Sequence, residues 1–222
     1  MKVKVAVIAG TLVDTAMGVA YLNRRDPEIE AVPYPATNSP RAGQLFQLAP
    51  EEEKRARFEE IFGDAERRGI RDFFVYCNSL SGVFDFEGFA AQRGDRVYTP
   101  LQVYRELGER YTRSAVIAVN NQSTAGIERS LYERNPNAEV IGLGILSLIS
   151  AVEDRRDPEE IVESFALGDL MRFFEQNGVE CLILGCTHFP YFRDALSKRT
   201  RLPIIDPADV MYENLLRGLQ AD

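Results

Sequence analysis

The chain has 222 residues, 45% hydrophobic and 27% charged, the make-up of an ordinary globular protein long enough for one large or two small cores. Its 34 acidic against 26 basic residues leave a formal charge of −8, the wrong sign for a protein that tracks nucleic-acid phosphates, although a small anionic ligand responds only to its local site. No apolar run approaches the ~20 residues that cross a bilayer, three widely spread cysteines argue against a disulfide framework, and a single histidine, His188, excludes zinc sites built on several imidazoles.

Along the chain, Lys2 and Lys4 precede the apolar stretch Val5–Ala9, which imitates a signal peptide but is too short and leads into polar loop chemistry; with Val3 it makes the segment Val3–Ala9. It reads as a first strand, and the chain as cytosolic. A helix follows at Thr15–Arg24, a strand at Ile29–Pro33, and a helix at Glu51–Arg68 opened by Pro50 and acidic residues that suit its dipole. Glu and Arg alternate there at helical spacing, which marks a solvated face. Strands Asp72–Cys77 and Arg96–Tyr98, helix Leu101–Tyr111, strand Ala115–Val119, helix Thr124–Arg134 and strand Glu139–Ile141 come next. Helix Pro158–Asn177, strand Cys181–Gly185, helix Pro190–Arg199, strand Leu202–Ile205 and helix Pro207–Leu219 complete the series. Gly69 and Gly178 stand where a left-handed residue ends a helix. This alternation predicts an α/β protein with largely parallel sheets.

One long-period echo stands out. Phe73-Phe-Val-Tyr-Cys77-Asn78-Ser79 matches Leu182-Ile-Leu-Gly-Cys186-Thr187-His188 in form, 109 residues on: an apolar strand, a cysteine, two polar residues. The echo suggests two similar lobes. Parallel sheets bind ligands beyond the carboxyl ends of their strands, where both cysteines fall. Cys186 also precedes a helix start at Pro190, whose dipole favours a thiolate. Cys181, inside an apolar strand, reads as a small buried hydrophobe.

Leu184-Gly185-Cys186-Thr187-His188-Phe189-Pro190 and Cys77-Asn78-Ser79 resemble the paired motifs of the aspartate/glutamate racemase superfamily, closest to its glutamate racemase branch. Val152-Glu153 and Ile204-Ile205-Asp206-Pro207 are similar to further family segments. The resemblance implies an α/β fold of two similar lobes with parallel central sheets flanked by helices, lobe one at 1–98 plus 207–222 and lobe two at 99–206. It places the active site in the cleft between them. It implies racemisation of an acidic amino acid with no cofactor and no metal, Cys77 and Cys186 passing the proton, assisted by His188, Asp14 and Glu153. Glutamate is the expected substrate, with no nucleic acid or membrane partner, and a homodimer is left open as the assembly.

The segment Gly10-Thr-Leu-Val-Asp14-Thr15 resembles either the Asp-Ser loop of glutamate racemases or the Gly-rich turn of aspartate racemases; Asp14 serves equally as a helix N-cap. The family's Pro-Tyr-Gly carboxylate contact corresponds to Pro40-Arg41-Ala42, so an arginine replaces the tyrosine. Asn121 and Thr124 stand where the family has a substrate loop, and fit a loop and helix cap as well. With Asn78, Ser79 and Thr187 they supply amides and hydroxyls for a substrate carboxylate and a developing carbanion. The rivals are an aspartate racemase, a maleate-isomerase-like or decarboxylase-like relative, a thiol hydrolase using Cys186 and His188, and a two-lobed protein that binds a dicarboxylic amino acid without chemistry.

Overall fold

A strand that is apolar on both faces needs parallel neighbours and covering helices, and the chain meets that need twice. The computed structural model describes residues 2–220, the side chain of Pro40 apart. It divides into two units, Met1–Pro100 with Val210–Asp222, and Leu101–Asp209.

In the first unit, β1 (Val3–Ala9), β2 (Ile29–Pro35), β3 (Asp72–Val75) and β4 (Arg96–Tyr98) form one parallel sheet in the order β2-β1-β3-β4. The central β1 pairs Val3 with Ile29 on one side and Val5 with Asp72 on the other. In the second unit, β5 (Arg113–Ala118), β6 (Glu139–Gly144), β7 (Cys181–Gly185) and β8 (Ile204–Ile205) repeat the pattern as β6-β5-β7-β8. Each sheet therefore reverses its winding direction between its first and third strands. Such a switch point opens a crevice beyond the carboxyl ends of those two strands. Cys77 follows β3 and Cys186 follows β7, so both motifs lie at a switch point.

The first unit's helices are α1 (Leu12–Arg25), α2 (Pro40–Leu48), α3 (Glu51–Arg67), the single turn α4 (Asn78–Ser81) and α5 (Phe86–Arg93). Thr11 caps α1 and Ser39 caps α2, each accepting from a backbone N–H three residues on. Gly69, at φ +74°, ends α3 as the sequence predicts. The second unit carries α6 (Pro100–Arg110), α7 (Asn121–Tyr132), α8 (Ser147–Glu153), α9 (Pro158–Ser164), α10 (Leu167–Gln176) and, behind a 3-10 turn at Phe189–Phe192, α11 (Arg193–Ser197). The last helix, α12 (Pro207–Gln220), belongs mostly to the first unit.

Aromatic rings dominate the first core: Phe62 stacks on Phe73 at 3.8 Å, and Phe58 meets Phe84 and Phe86 at 4.5 and 4.6 Å. Aliphatic side chains dominate the second, with Leu148, Ile161, Leu182 and Leu184 fully buried around Phe189 and Phe192. Each such side chain contributes about 1.5–3 kcal/mol of burial.

Three expectations change. The helix expected over Pro158–Asn177 is two, because Ala166 takes a left-handed conformation (φ 51°) and interrupts the ladder. The helix expected at Pro190–Arg199 is a 3-10 turn and then α11. The strand expected to reach Cys77 stops at Val75, and Cys77 instead leads into α4. The helices α2, α4, α5 and α8, of 4 to 9 residues, escape the sequence reading because so few turns carry little 3.6-residue periodicity.

Candidate active site

In the first unit the loop after β1 and the loop after β3 meet around Gly10. A Cβ on Gly10 would stand 3.4 Å from Asp14 Oδ2 and 3.7 Å from Cys77 Sγ, so carboxylate and thiol share the space that glycine leaves. Thr11, the α1 cap, accepts from the Asp14 N–H (3.2 Å) and donates its hydroxyl to Asp14 Oδ2 (3.0 Å). Asp14 is thus not the N-cap; it lies in the first turn, its carboxylate oriented by the cap. Thr37 grips the Gly10 carbonyl with its N–H (3.1 Å) and its hydroxyl (2.7 Å).

Cys77 is 9% exposed. Burial pushes its thiol above the ordinary value; the Ser79 hydroxyl and the Leu80 N–H draw it back, the Asp14 charge adds to the rise, and the Gly10 N–H opposes it. The Ser79 Oγ lies 3.4 Å from the sulfur and receives the Gln47 Nε2 of α2, also at 3.4 Å. Such a group is a protonated thiol with donors in place for the thiolate: it can serve as acid and as base.

The other expected contacts of this unit lie at the starts of α1, α2 and α4. Thr15 is 1% exposed and its hydroxyl donates to the Thr11 carbonyl at 2.6 Å, so it braces the turn. Arg41 is exposed on the first turn of α2. Pro40 opens that helix, and its side chain lies outside the described residues. Asn78 is half-buried at the start of α4.

The second unit builds a parallel arrangement. Gly185 lets β7 pass close to Ile127 and Ala118, where a Cβ would come within 2.6 Å of the Ile127 side chain. Cys186 follows, half-buried, with His188 Nδ1 3.7 Å from its sulfur. His188 is 8% exposed, and its Nε2 lies 3.6 Å from Oε1 of Glu153, the last residue of α8. The 3-10 turn holds the segment through Phe189 N–H to the Cys186 carbonyl (3.1 Å) and Tyr191 N–H to the His188 carbonyl (3.2 Å). Thr187 is half-buried between them.

Asn121 is exposed as the first residue of α7, behind Asn120, which is the cap. Thr124 is buried, donates to the Asn121 carbonyl at 2.8 Å and packs on β6, where a Cβ on Gly142 would come within 3.0 Å of it. The third cysteine, Cys181, is fully buried and donates to Ser114 Oγ at 3.5 Å.

Sequence reasoning missed Gln47 and Tyr104. Gln47 contacts a residue 32 positions away from a helix that leaves no periodic signal. Tyr104, fully buried on α6, has its phenol held well above the ordinary value, first by burial and then by the negative charges of Asp206 and Cys186. No polar pattern distinguishes it from a core aromatic.

The sequence profile of "Asp/Glu/Hydantoin racemase" matches residues 24–215. "Glutamate racemase 3" of Caldanaerobacter subterraneus subsp. tengcongensis is 24% identical over 173 residues, covering 71% of this chain and 59% of that protein. The chain spans about three fifths or less of the length of the curated relatives it matches first. Among solved structures, an aspartate racemase homologue from Pyrococcus horikoshii OT3 superposes with a TM-score of 0.70 at 17% identity, covering 100% of each chain. The glutamate racemase of Francisella tularensis subsp. tularensis SCHU S4, in complex with D-glutamate, does so with 0.65 at 18% identity, covering 98% of this chain and 81% of that one. These structures share the fold.

Proposed function

This chain belongs to the Asp/Glu/hydantoin racemase family, and from that premise we propose that it is a cofactor-independent racemase of an acidic amino acid, with glutamate preferred, working through Cys77 and Cys186. The observation that carries the reading is the arrangement found twice: a cysteine beyond the carboxyl end of the third strand, beside a switch point, within reach of the polar side chain two residues on.

In this reading one sulfur, as thiolate, takes the α-proton and becomes a thiol. The electron pair stays on the α-carbon, delocalised into the substrate carboxylate. The other thiol gives its proton to the opposite face and is left as thiolate, so acid and base exchange roles with each inversion. Preorganised donors must hold the developing charge, and we assign that task to Asn78, Ser79, Thr187 and Asn121. Asp14 assists Cys77; His188, backed by Glu153, assists Cys186. Thr15 and Thr124 hold backbone turns and make no substrate contact.

Arg41 favours a second substrate, aspartate: a guanidinium on the first turn of α2 suits bidentate capture of a side-chain carboxylate. The test is incubation with each enantiomer of glutamate and aspartate in D2O, without added cofactor, followed by proton NMR and chiral chromatography. Glutamate should lose its α-proton signal and racemise with the higher kcat/KM. Cys77→Ala and Cys186→Ala should each lower racemisation by about 10²–10⁴-fold, and Cys181→Ala should leave it near wild type. Full racemisation by Cys77→Ala ends the two-thiol reading. An aspartate preference that disappears in Arg41→Ala replaces glutamate with aspartate.

A further inference from the structure

The two units repeat more than a strand order. In the second, the helix after β6 ends in Glu153, whose Oε1 stands 3.6 Å from His188 Nε2, and the other ring nitrogen stands 3.7 Å from the Cys186 sulfur. In the first, the helix after β2 carries Gln47, whose Nε2 stands 3.4 Å from Ser79 Oγ, and that oxygen stands 3.4 Å from the Cys77 sulfur. Helix after the second strand, side chain two after the cysteine, sulfur: the order of parts is the same.

We propose that Gln47 is a positioning residue for Cys77, the counterpart in the first unit of Glu153, and that it fixes the Ser79 hydroxyl with its hydrogen aimed at the Cys77 sulfur. The argument is one of hydrogen-bond capacity. A serine hydroxyl has one hydrogen and two lone pairs, and rotates to suit its neighbours. An amide N–H of Gln47 occupies a lone pair, so the hydrogen is left for the sulfur. Without that amide the hydroxyl can turn and present a lone pair to the sulfur instead, which would repel a thiolate. The titratable group facing Cys77 is Asp14 of α1; Ser79 and Leu80 of α4 and the Gly10 N–H after β1 are neutral. The first unit thus supports its thiol with a hydroxyl and an amide, where the second uses an imidazole and a carboxylate.

The meaning for catalysis rests on the two-thiol reading, but the test does not require turnover. Alkylation of each cysteine by iodoacetamide is followed across pH by peptide-level mass spectrometry. In Gln47→Leu the midpoint for Cys77 should move up by about one pH unit, the loss of a hydrogen bond to a charged group. Ser79→Ala should move it similarly, and the double variant should add nothing further. Gln47→Glu should move it up once its carboxylate ionises and accepts the Ser79 hydrogen bond, turning the hydrogen away from the sulfur. Gln47→Met, which keeps the volume, serves if Gln47→Leu does not fold, and unchanged protection of the buried Cys181 reports that the fold is intact. An unmoved Cys77 midpoint in a folded Gln47 variant, or full additivity with Ser79→Ala, overturns the proposal. A shifted midpoint in a protein that racemises nothing would sink the racemase reading and leave this one standing.

Discussion

Cys181 shows how far position within one strand separates thiols of the same chemistry. It lies inside β7, five residues before Cys186, and burial pushes its thiol from 9.0 up to about 11, the Ser114 hydroxyl opposing the rise. The folded value exceeds the unfolded one, so the folded state keeps its proton where the unfolded chain loses it. The stability from keeping this thiol neutral is complete below pH 9 and is lost as pH rises toward 11. In urea denaturation the stability difference between wild type and Cys181→Ala should therefore shift by about 2 kcal/mol in the variant's favour between pH 8 and 11. Parallel pH profiles for the two proteins would rule this coupling out. Residues of this kind were legible because a cysteine either interrupts an apolar strand pattern or follows it. The turn at Asp14 was legible only as an ambiguity, a site carboxylate or an N-cap, and Thr11 as the cap was not read from the sequence. Gln47, Tyr104 and the burial of Thr124 were not legible, because each depends on which distant strand or helix comes to lie beside it.

At the scale of elements, α1 owes its seat to Gly18. A Cβ there would meet Tyr76 Cγ and Val7 Cγ1, both at 2.8 Å, so the helix lies against the side chains of β1 and of the residue just after β3. Gly18→Ala gains up to about 1 kcal/mol of helix propensity and incurs about 1–3 kcal/mol of overpacking. A net loss of about 1–2 kcal/mol should appear as a lower denaturation midpoint. Because Thr11 and Asp14 stand at the start of α1, the same variant should also slow the proposed racemisation; a stable Gly18→Ala that keeps all of the wild-type rate would show that helix and site are not coupled. The sheets were readable from sequence since short apolar runs such as Val5–Ala9 allow little else. The break at Ala166 was not, because a left-handed alanine carries no compositional mark.

For the whole molecule, the second unit is a contiguous segment, Leu101–Asp209, inserted between the body of the first and its final helix. That helix is integral to the first unit: Met211 and Leu215 are buried, Gly218 lets it close on the Tyr98 hydroxyl, and Tyr212 receives the Arg25 guanidinium at 5.6 Å from its ring centre. A chain ended at Asp209 should keep hydrogen-exchange protection in β5–β8 and lose it in β1–β4; equal loss in both sheets would show that the units fold only together. The insertion also sets an order of completion during synthesis. Translation at about 5–20 residues per second puts on the order of 5–20 s between the emergence of β4 and the arrival of α12. Through that interval the apolar surface that Met211 and Leu215 will cover stays open to water, although all four strands of the first sheet are already made. The half that is made first is the half that finishes last, and it is there that a nascent chain of this protein needs protection from aggregation.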